Sequence, residues 1–187
     1  MAKWYACKAI ITLRDQVNKM APSRSKSSDG IIGDAAHRKR RSDHNPDSDG
    51  AVRAIDLTHS PTKGFDSYRF ADHLRVTKDS RISYVISNRR IFSGGTWTWR
   101  KYTGLNAHSG HVHISIKRGP HDQAHPWKMP NPHYPPEDPG PMEDFDPADV
   151  EAYGHVITED DGDVVLDNAT EGYDGEGNDE LGDVDEE

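Results

Sequence analysis

The sequence predicts an α+β fold in which a small antiparallel sheet packs against a few helices and is followed by a disordered acidic tail. Near the N-terminus, apolar residues recur at helical spacing, whereas later β-prone runs are separated by short polar turns. The charge then changes sharply near residue 130. Residues 131–187 contain 21 of the 32 acidic residues and no Lys or Arg, so this part carries about −21 and residues 1–130 about +12.

The composition indicates that only part of the chain folds. Hydrophobic residues make up 33% of the 187 positions and the mean hydropathy is −0.92, which is too polar for packing throughout. Prolines crowd residues 131–147, and acidic residues dominate residues 148–187. We therefore expect a folded domain in residues 1–130, a stiff Pro-rich linker in residues 131–147 and a disordered acidic tail in residues 148–187.

Cysteine content and hydropathy bear on the compartment. Cys7 is the one cysteine, so an intrachain disulfide is impossible. The N-terminus lacks an apolar run of signal-peptide length, and no stretch approaches a membrane span. We expect a chain that is synthesised and kept soluble in the cytoplasm.

Two helices are predicted. The first carries one apolar stripe with spacings of four, three, four and three, and the second covers residues 64–77 with capping candidates in residues 65–67. The expected core residues are Ala6, Ile10, Leu13, Val17 and Met20 in the first helix, and Phe70, Ala71 and Leu74 in the second.

Several β-prone runs follow or lie between the helices. A short strand is predicted at Ile31-Ile32, and residues 82–86 and 90–92 form a hairpin-like pair around a turn at residues 87–89. Trp97, Trp99 and Tyr102 lie in a Gly-rich segment, where they either stack on a ligand or form a hydrophobic lid on a small core.

Residues 42–56 contain the first group of candidate functional side chains. A strand at its end places Val52, Ala54 and Asp56 on one face, so a carboxylate lies among apolar neighbours and needs a partner. His44 precedes a run of turn-forming residues, and these can fold the chain back to bring His44 beside Asp56.

The second such stretch is residues 108–116. Val112, Ile114 and Ile116 alternate with His111, His113 and Ser115, so a strand buries the first set and presents two imidazoles on the face opposite the core. A lone His-x-His pair is often simply solvated, but the two stretches together favour a metal site. Three N/O ligands with one open position are typical of a catalytic zinc.

These residues resemble the zinc peptidases that include D-Ala-D-Ala carboxypeptidases, penicillin-insensitive murein endopeptidases and phage endolysins, which are grouped structurally with the hedgehog signalling domain. The shared pattern is Ser42-x-His44, Ala54-x-Asp56 and His111-x-His113. The resemblance implies that His44, Asp56 and His113 bind Zn²⁺. It also implies a monomeric enzyme that hydrolyses stem peptides of bacterial peptidoglycan, typically as an endolysin acting on the wall after release.

Two departures from this pattern matter. The connection from His44 to Asp56 is longer than in many members, so its turn must be enlarged. The carboxypeptidase branch has a glutamate base three residues before the last ligand, where this chain has Gly110. The murein endopeptidase branch instead resembles His108-x-x-His111-x-His113, which implies that His111 and His108 orient the catalytic water or move its proton.

Other basic groups and other functions stay open. Arg24 is either a solvated side chain or a group that holds a substrate carboxylate, as related enzymes use one. The cationic run at residues 37–41 suits an anionic wall polymer or nucleic acid, although we expect no stable nucleic-acid partner. Residues 43–50 loosely resemble the start of an HNH nuclease motif but lack its ββα continuation, and a metal-bearing wall-binding module without turnover is the third possibility.

Overall fold

The computed structural model describes residues 4–34, 42–104 and 106–130. Over these residues the chain is α+β, with two α-helices and a five-stranded antiparallel sheet in the order β3-β7-β4-β5-β6, which confirms the predicted class. The helices are α1 (Lys8–Met20) and α2 (Ser67–Thr77), and the strands are β1 (Tyr5–Ala6), β2 (Ala51–Val52), β3 (Ala54–Thr58), β4 (Ile82–Ser87), β5 (Arg90–Ser93), β6 (Arg100–Lys101) and β7 (His111–Ile116).

Strand β7 lies between β3 and β4, and its two faces contact different groups of residues. Val112, Ile114 and Ile116 belong to the main hydrophobic core, together with apolar residues of both helices. The other face carries His111 and His113. These histidines were expected opposite the core, but that face is also closed, leaving His111 3% and His113 2% exposed.

A second apolar cluster explains why the histidine face is buried. It consists of Tyr84, Ile86, Ile91 and Tyr102. Ile86 lies directly opposite His113 across the β4–β7 pair, and Tyr84 lies opposite Ser115, so these side chains share the histidine face. The strand therefore has a buried environment on both faces.

Helix α1 differs from its prediction at its first turn. Ala6 belongs to β1, which pairs in parallel with β2, and the helix begins at Lys8. The stripe is otherwise correct, because Ile10, Leu13 and Val17 are buried. Periodicity alone could not show that Ala6 packs on the same core from a strand.

Helix α2 begins later than predicted. Asp66 caps it by accepting hydrogen bonds from the backbone N–H groups of Tyr68 and Arg69, while Gly64 ends a short 3₁₀ helix with a φ of 92°. A positive φ is costly for residues with a Cβ, and it separates the two helical segments. Phe70, Ala71 and Leu74 are buried as expected.

One further prediction needs correction, and the alternative left open for Trp99 is decided in favour of core packing. Ile31 and Ile32 form no strand; the neighbouring Gly30 instead makes an isolated antiparallel bridge to Asp56. Trp99 is 1% exposed and donates its indole N–H to Asp72 at 2.6 Å, so it packs within the core instead of covering a ligand.

The segment after β7 completes the core. Trp127 is 3% exposed, donates its indole N–H to the carbonyl of Ala9 at 2.9 Å and lies under the guanidinium of Arg81, 3.9 Å from the ring centre. Arg81 also donates to the carbonyls of Gln123 and His125. These contacts fasten the end of the described chain to α1 and β4.

The ion pair between Asp79 and Arg81 leads to a stability prediction. The Arg81 side chain is fully buried and binds both carboxylate oxygens of Asp79, at 2.7 and 2.9 Å. Burial alone would raise the pKa of Asp79, but the hydrogen bonds and charge of Arg81 outweigh it and lower the pKa. We expect Asp79→Asn to lower the free energy of unfolding by about 3 kcal/mol at pH 7, because Arg81 loses its counter-ion.

The pH dependence follows from the sign of this shift. Since the folded-state pKa of Asp79 is lowered, its contribution is present above the unfolded pKa of about 3.9 and is lost as the pH falls through the folded value. Urea unfolding with chelator present should show the gap between wild type and Asp79→Asn closing below about pH 4. Asp15→Asn, which breaks the exposed pair with Arg14, is the control and should cost less than about 1 kcal/mol. Equal costs for the two variants would contradict the prediction.

Some predictions lie outside the described residues. These are the cationic run at residues 37–41, the Pro-rich linker at residues 131–147 and the acidic tail at residues 148–187. Among the described residues, neither helix has the length and apolar character needed to cross a membrane.

Candidate metal centre

The candidate centre forms where β3 and β7 pair. Asp56 lies directly opposite His113 in this antiparallel pair, and Thr58 lies opposite His111. His44 comes from the loop before β2, which returns to the sheet as the run of turn-forming residues predicted. The backbone N–H of Asp56 donates to the carbonyl of Gly30 at 2.8 Å. Strand β3 is therefore also held along the edge that does not pair with β7.

Three ligand atoms converge at this point. Nε2 of His44 lies 3.2 Å from Oδ2 of Asp56 and 3.1 Å from Nδ1 of His113, and Nδ1 of His113 lies 3.0 Å from Oδ1 of Asp56. Two ligands bound at about 2.0 Å to a tetrahedral zinc lie roughly 3.3 Å apart. This group of residues can therefore hold a metal ion, with one ligand atom from each.

The remaining ring nitrogens determine which atoms face the metal position. Nδ1 of His44 lies 2.8 Å from the carbonyl oxygen of Ile31, which can only accept, so this nitrogen carries the proton and Nε2 keeps its lone pair. Nε2 of His113 lies 3.3 Å from Oγ of Ser115, whose own hydroxyl donates to Asp43 at 2.7 Å. His113 is therefore protonated at Nε2 and has its lone pair on Nδ1.

These tautomers leave three electron-rich atoms pointing at one another. The lone pairs of His44 and His113 and the carboxylate of Asp56 meet at about van der Waals contact or closer, with the ring protons used elsewhere. Repulsion within such a group is relieved either by a proton shared between its members or by a metal ion between them. Outward donation by metal-binding histidines to carbonyl or carboxylate partners is the usual support of a metal site.

His108 and His111 lie beside the ligand group. Nε2 of His111 is 3.8 Å from Oδ1 of Asp56, and the His111 ring packs edge-on against His108 with centroids 4.9 Å apart. Nδ1 of His108 donates to the carbonyl of Asn106 at 2.9 Å, which fixes the orientation of the ring. The structure thus gathers all five histidine and aspartate residues that the sequence singled out.

The backbone of His108 is strained. Its φ is 49°, a conformation that non-glycine residues rarely adopt, and the side chain is fully buried. The backbone N–H bonds to the side chain of Asn106, and the carbonyl accepts from the N–H of Asn88 at 2.9 Å, which hold the turn. Strain of this kind costs on the order of 1 kcal/mol and is concentrated at functional sites.

The choice of a general base is narrowed by composition. Residues 1–130 contain no glutamate, so any carboxylate base within them must be an aspartate. Asp56 belongs to the ligand group, and Asp43 is bound by Ser115 and Arg53. A Cβ at Gly110 would meet no atom within 4 Å, so this position offers open space instead of a base. The imidazoles of His111 and His108 lie beside the ligands and are the candidate proton acceptors.

Arg24 is engaged in the interior. Its guanidinium is fully buried, pairs with the carboxylate of Asp29, bonds to Asn18 at 2.9 Å and lies over the ring of Phe65. Asp29 in turn accepts from the backbone N–H of Thr58. In these contacts the guanidinium fastens the loop before Gly30 to β3, so this geometry gives no support to the predicted contact with a substrate carboxylate.

Sequence reasoning missed the second set of polar residues that supports the site. Asp43 is adjacent to His44, and Ser115 follows His113 by two positions and therefore shares its face. The alternating pattern of β7 was sufficient to predict that Ser115 lies on the same face as His113. Nothing in the sequence indicated that the backbone carbonyl of Ile31 would orient His44.

Comparison of the chain with family models, with curated proteins and with solved structures found no match.

Proposed function

We propose that this chain is a zinc metallopeptidase that cleaves peptide bonds in the stem peptides of bacterial peptidoglycan, in the manner of a phage endolysin that acts on the wall after its release. The observation that carries the proposal is the convergence of ligand atoms from His44, Asp56 and His113, with two further imidazoles beside them. The resemblance to the peptidase pattern supplies the substrate class: His108-x-x-His111-x-His113 has the spacing of the murein endopeptidase branch, while the connection from His44 to Asp56 is longer than in many members.

A bound zinc would act as a Lewis acid on the scissile carbonyl and lower the pKa of a bound water to roughly 7. The protein fixes the geometry: His44 is oriented by a backbone carbonyl and His113 by Ser115. With three protein ligands, a tetrahedral site keeps one position for water or substrate.

His111 and His108 would carry the proton transfer. The nitrogen of His111 nearest the site is 3.8 Å from the Asp56 carboxylate, so it lies next to the ligands without being one of the converging three. His108 packs edge-on against both His111 and His113, with ring centroids 4.9 and 5.6 Å apart. In this arrangement His111 takes the proton of the attacking water and His108 fixes the orientation of His111.

The two alternatives make different demands on the structure. An HNH nuclease draws its site from a ββα unit, but among the described residues all three candidate ligands come from a loop and two strands. A wall-binding module without turnover needs the metal group but not the imidazole pair. The open space at Gly110 is compatible with that module, so turnover must be measured.

The test is an assay on defined peptidoglycan fragments, read by mass spectrometry, with the protein as purified, with chelator, and with zinc restored. New amino termini in stem peptides that disappear with chelator and return with zinc would support the peptidase. Duplex DNA is incubated in parallel, and cuts in DNA alone would establish a nuclease. Stoichiometric zinc binding without any cleavage would support the wall-binding module without turnover.

The charge distribution leads to a prediction about the wall polymer. The segment after residue 130 carries about −21 and is tethered to a region of about +12, so it competes with anionic ligands for the same basic groups. We expect truncation after Pro130 to tighten binding to anionic wall polymer at low salt, and the difference to fade as salt screens charges beyond about 8 Å at physiological ionic strength. Superimposable pull-down curves for the full-length and truncated proteins across a salt series would show that the acidic segment does not compete with the polymer.

A further inference from the structure

Two hydrogen bonds lead from His113 away from the ligand group. Nε2 of His113 lies 3.3 Å from Oγ of Ser115, and that hydroxyl donates to Oδ2 of Asp43 at 2.7 Å. Ser115 is fully buried, and its position two residues after His113 places both side chains on the same face of β7. His113 is therefore connected to a carboxylate that does not belong to the ligand group.

Arg53 fixes the direction of these bonds. It donates to Oδ1 of Asp43 at 2.7 Å, while the other oxygen of the same carboxylate accepts from the hydroxyl of Ser115. The single proton of Ser115 then points to Asp43, so the serine oxygen must accept from Nε2 of His113. The carboxylate of Asp43 thereby favours, through one hydroxyl, the tautomer of His113 with its lone pair on Nδ1, and it opposes the Asp56 carboxylate 3.0 Å from that nitrogen.

The long connection between His44 and Asp56 places Asp43 for this role. Arg53 bonds to Oδ2 of Asp47 at 3.0 Å and to the carbonyl of Ile116 at 2.9 Å, so it ties the loop to the end of β7. Asp47 also accepts from the backbone N–H of Ala51. The loop is thus fastened with the carboxylate of Asp43 facing Ser115.

We propose that Asp43 and Ser115 are positioning residues that select the tautomer of His113 able to bind zinc through Nδ1, and thereby set the metal affinity. The inference rests on the metal site of the proposed function and not on peptide cleavage. Groups that orient a metal-binding histidine typically contribute 10–100-fold to metal affinity, and we expect about that effect here.

Asp43→Asn is the informative variant. Arg53 only donates, so the introduced amide must turn its oxygen to Arg53 and its NH₂ to Ser115. Ser115 then donates to Nε2 of His113, which moves the ring proton to Nδ1 and removes the lone pair from the metal position. We expect zinc affinity to fall about 10–100-fold. Asp43→Ala removes the acceptor without imposing a donor, so its loss should be smaller.

The relative zinc affinities of Asp43→Asn and Asp43→Ala distinguish control of the His113 tautomer from a role in packing. Asparagine matches aspartate in size, so a merely structural role predicts that Asp43→Ala is the more harmful change. Ser115→Ala removes the link and should weaken zinc binding to an extent similar to Asp43→Ala. The matched control is Asp47→Asn, which loosens the same loop and the same arginine. It should leave zinc affinity close to that of wild type, because Asp47 has no contact with Ser115 and Arg53 keeps its bond to Asp43.

Two readouts decide the inference. Zinc dissociation constants come from competition with a chelator, and nitrogen-15 NMR of the metal-free imidazoles reports which ring nitrogen of His113 carries the proton. Protonation at Nε2 in wild type and at Nδ1 in Asp43→Asn, with the affinity order above, would support it. An unchanged tautomer, or an affinity loss in Asp47→Asn equal to that in Asp43→Asn, would overturn it. Wild-type protein that binds zinc but cleaves no peptidoglycan would sink the peptidase proposal and leave this result standing.

Discussion

Replacing His113 by alanine should abolish both stoichiometric zinc binding and turnover, whereas His111→Ala should keep most of the zinc and lose activity. His113 contributes one of the three converging ligand atoms, and its Nδ1 is 3.0 Å from the Asp56 carboxylate. His111 lies 3.8 Å from the same carboxylate and would act on the proton of the attacking water. Removal of a group of this kind typically costs 10²–10⁴-fold in rate, that is, about 3 to 5 kcal/mol of barrier.

The two variants are well matched as a pair. Both residues lie on β7, on the same face, and are almost equally buried at 3% and 2% exposure, so cavity formation affects them alike. Metal content is measured by mass spectrometry of the native protein, turnover on peptidoglycan fragments, and folding by circular dichroism. Equal zinc loss in both variants would contradict this division of roles and would place His111 among the ligands.

The local pattern was sufficient to predict which side chains of each strand share a face. Alternation with a period of two is a property of the strand itself, so Asp56 on β3 and the His111, His113 pair on β7 were predicted correctly as facing residues. The turn-forming run after His44 likewise predicted its return to the sheet. These features depend on neighbouring residues in the chain, which the sequence displays directly.

Features that depend on distant contacts were not predictable in the same way. The pairing of β3 with β7 joins segments more than fifty residues apart, and nothing local specifies that partner. The second apolar cluster, which closes the histidine face, requires knowing that β4 lies against β7. The contacts of Arg24 with Asp29 and Asn18 likewise depend on the path of a loop.

The hydrogen bonds that orient His113 were also not predictable from the sequence alone. Ser115 shared a face with His113 in the predicted strand, but a serine there has several possible partners. Its partner was identified only from the fold, in which the loop places Asp43 within 2.7 Å of its hydroxyl. Residue type and spacing predicted the ligand group, while the hydrogen bonds that determine its tautomers required the fold.

Cutting the chain after Gly119 should unfold the domain, whereas cutting it after Pro130 should leave the fold and the metal group intact. The shorter chain lacks Trp127, which is 3% exposed and bonded to Ala9, and also lacks the carbonyls that accept from the buried Arg81. Loss of a buried tryptophan alone costs about 3–5 kcal/mol, against a total stability of roughly 5–15 kcal/mol. Thermal unfolding followed by circular dichroism measures both truncations, and Trp127→Ala in the full-length chain isolates the contribution of the side chain. Unfolding of the chain cut after Pro130 would show that the domain boundary lies further along the sequence, and full stability of the chain cut after Gly119 would show that these contacts contribute little.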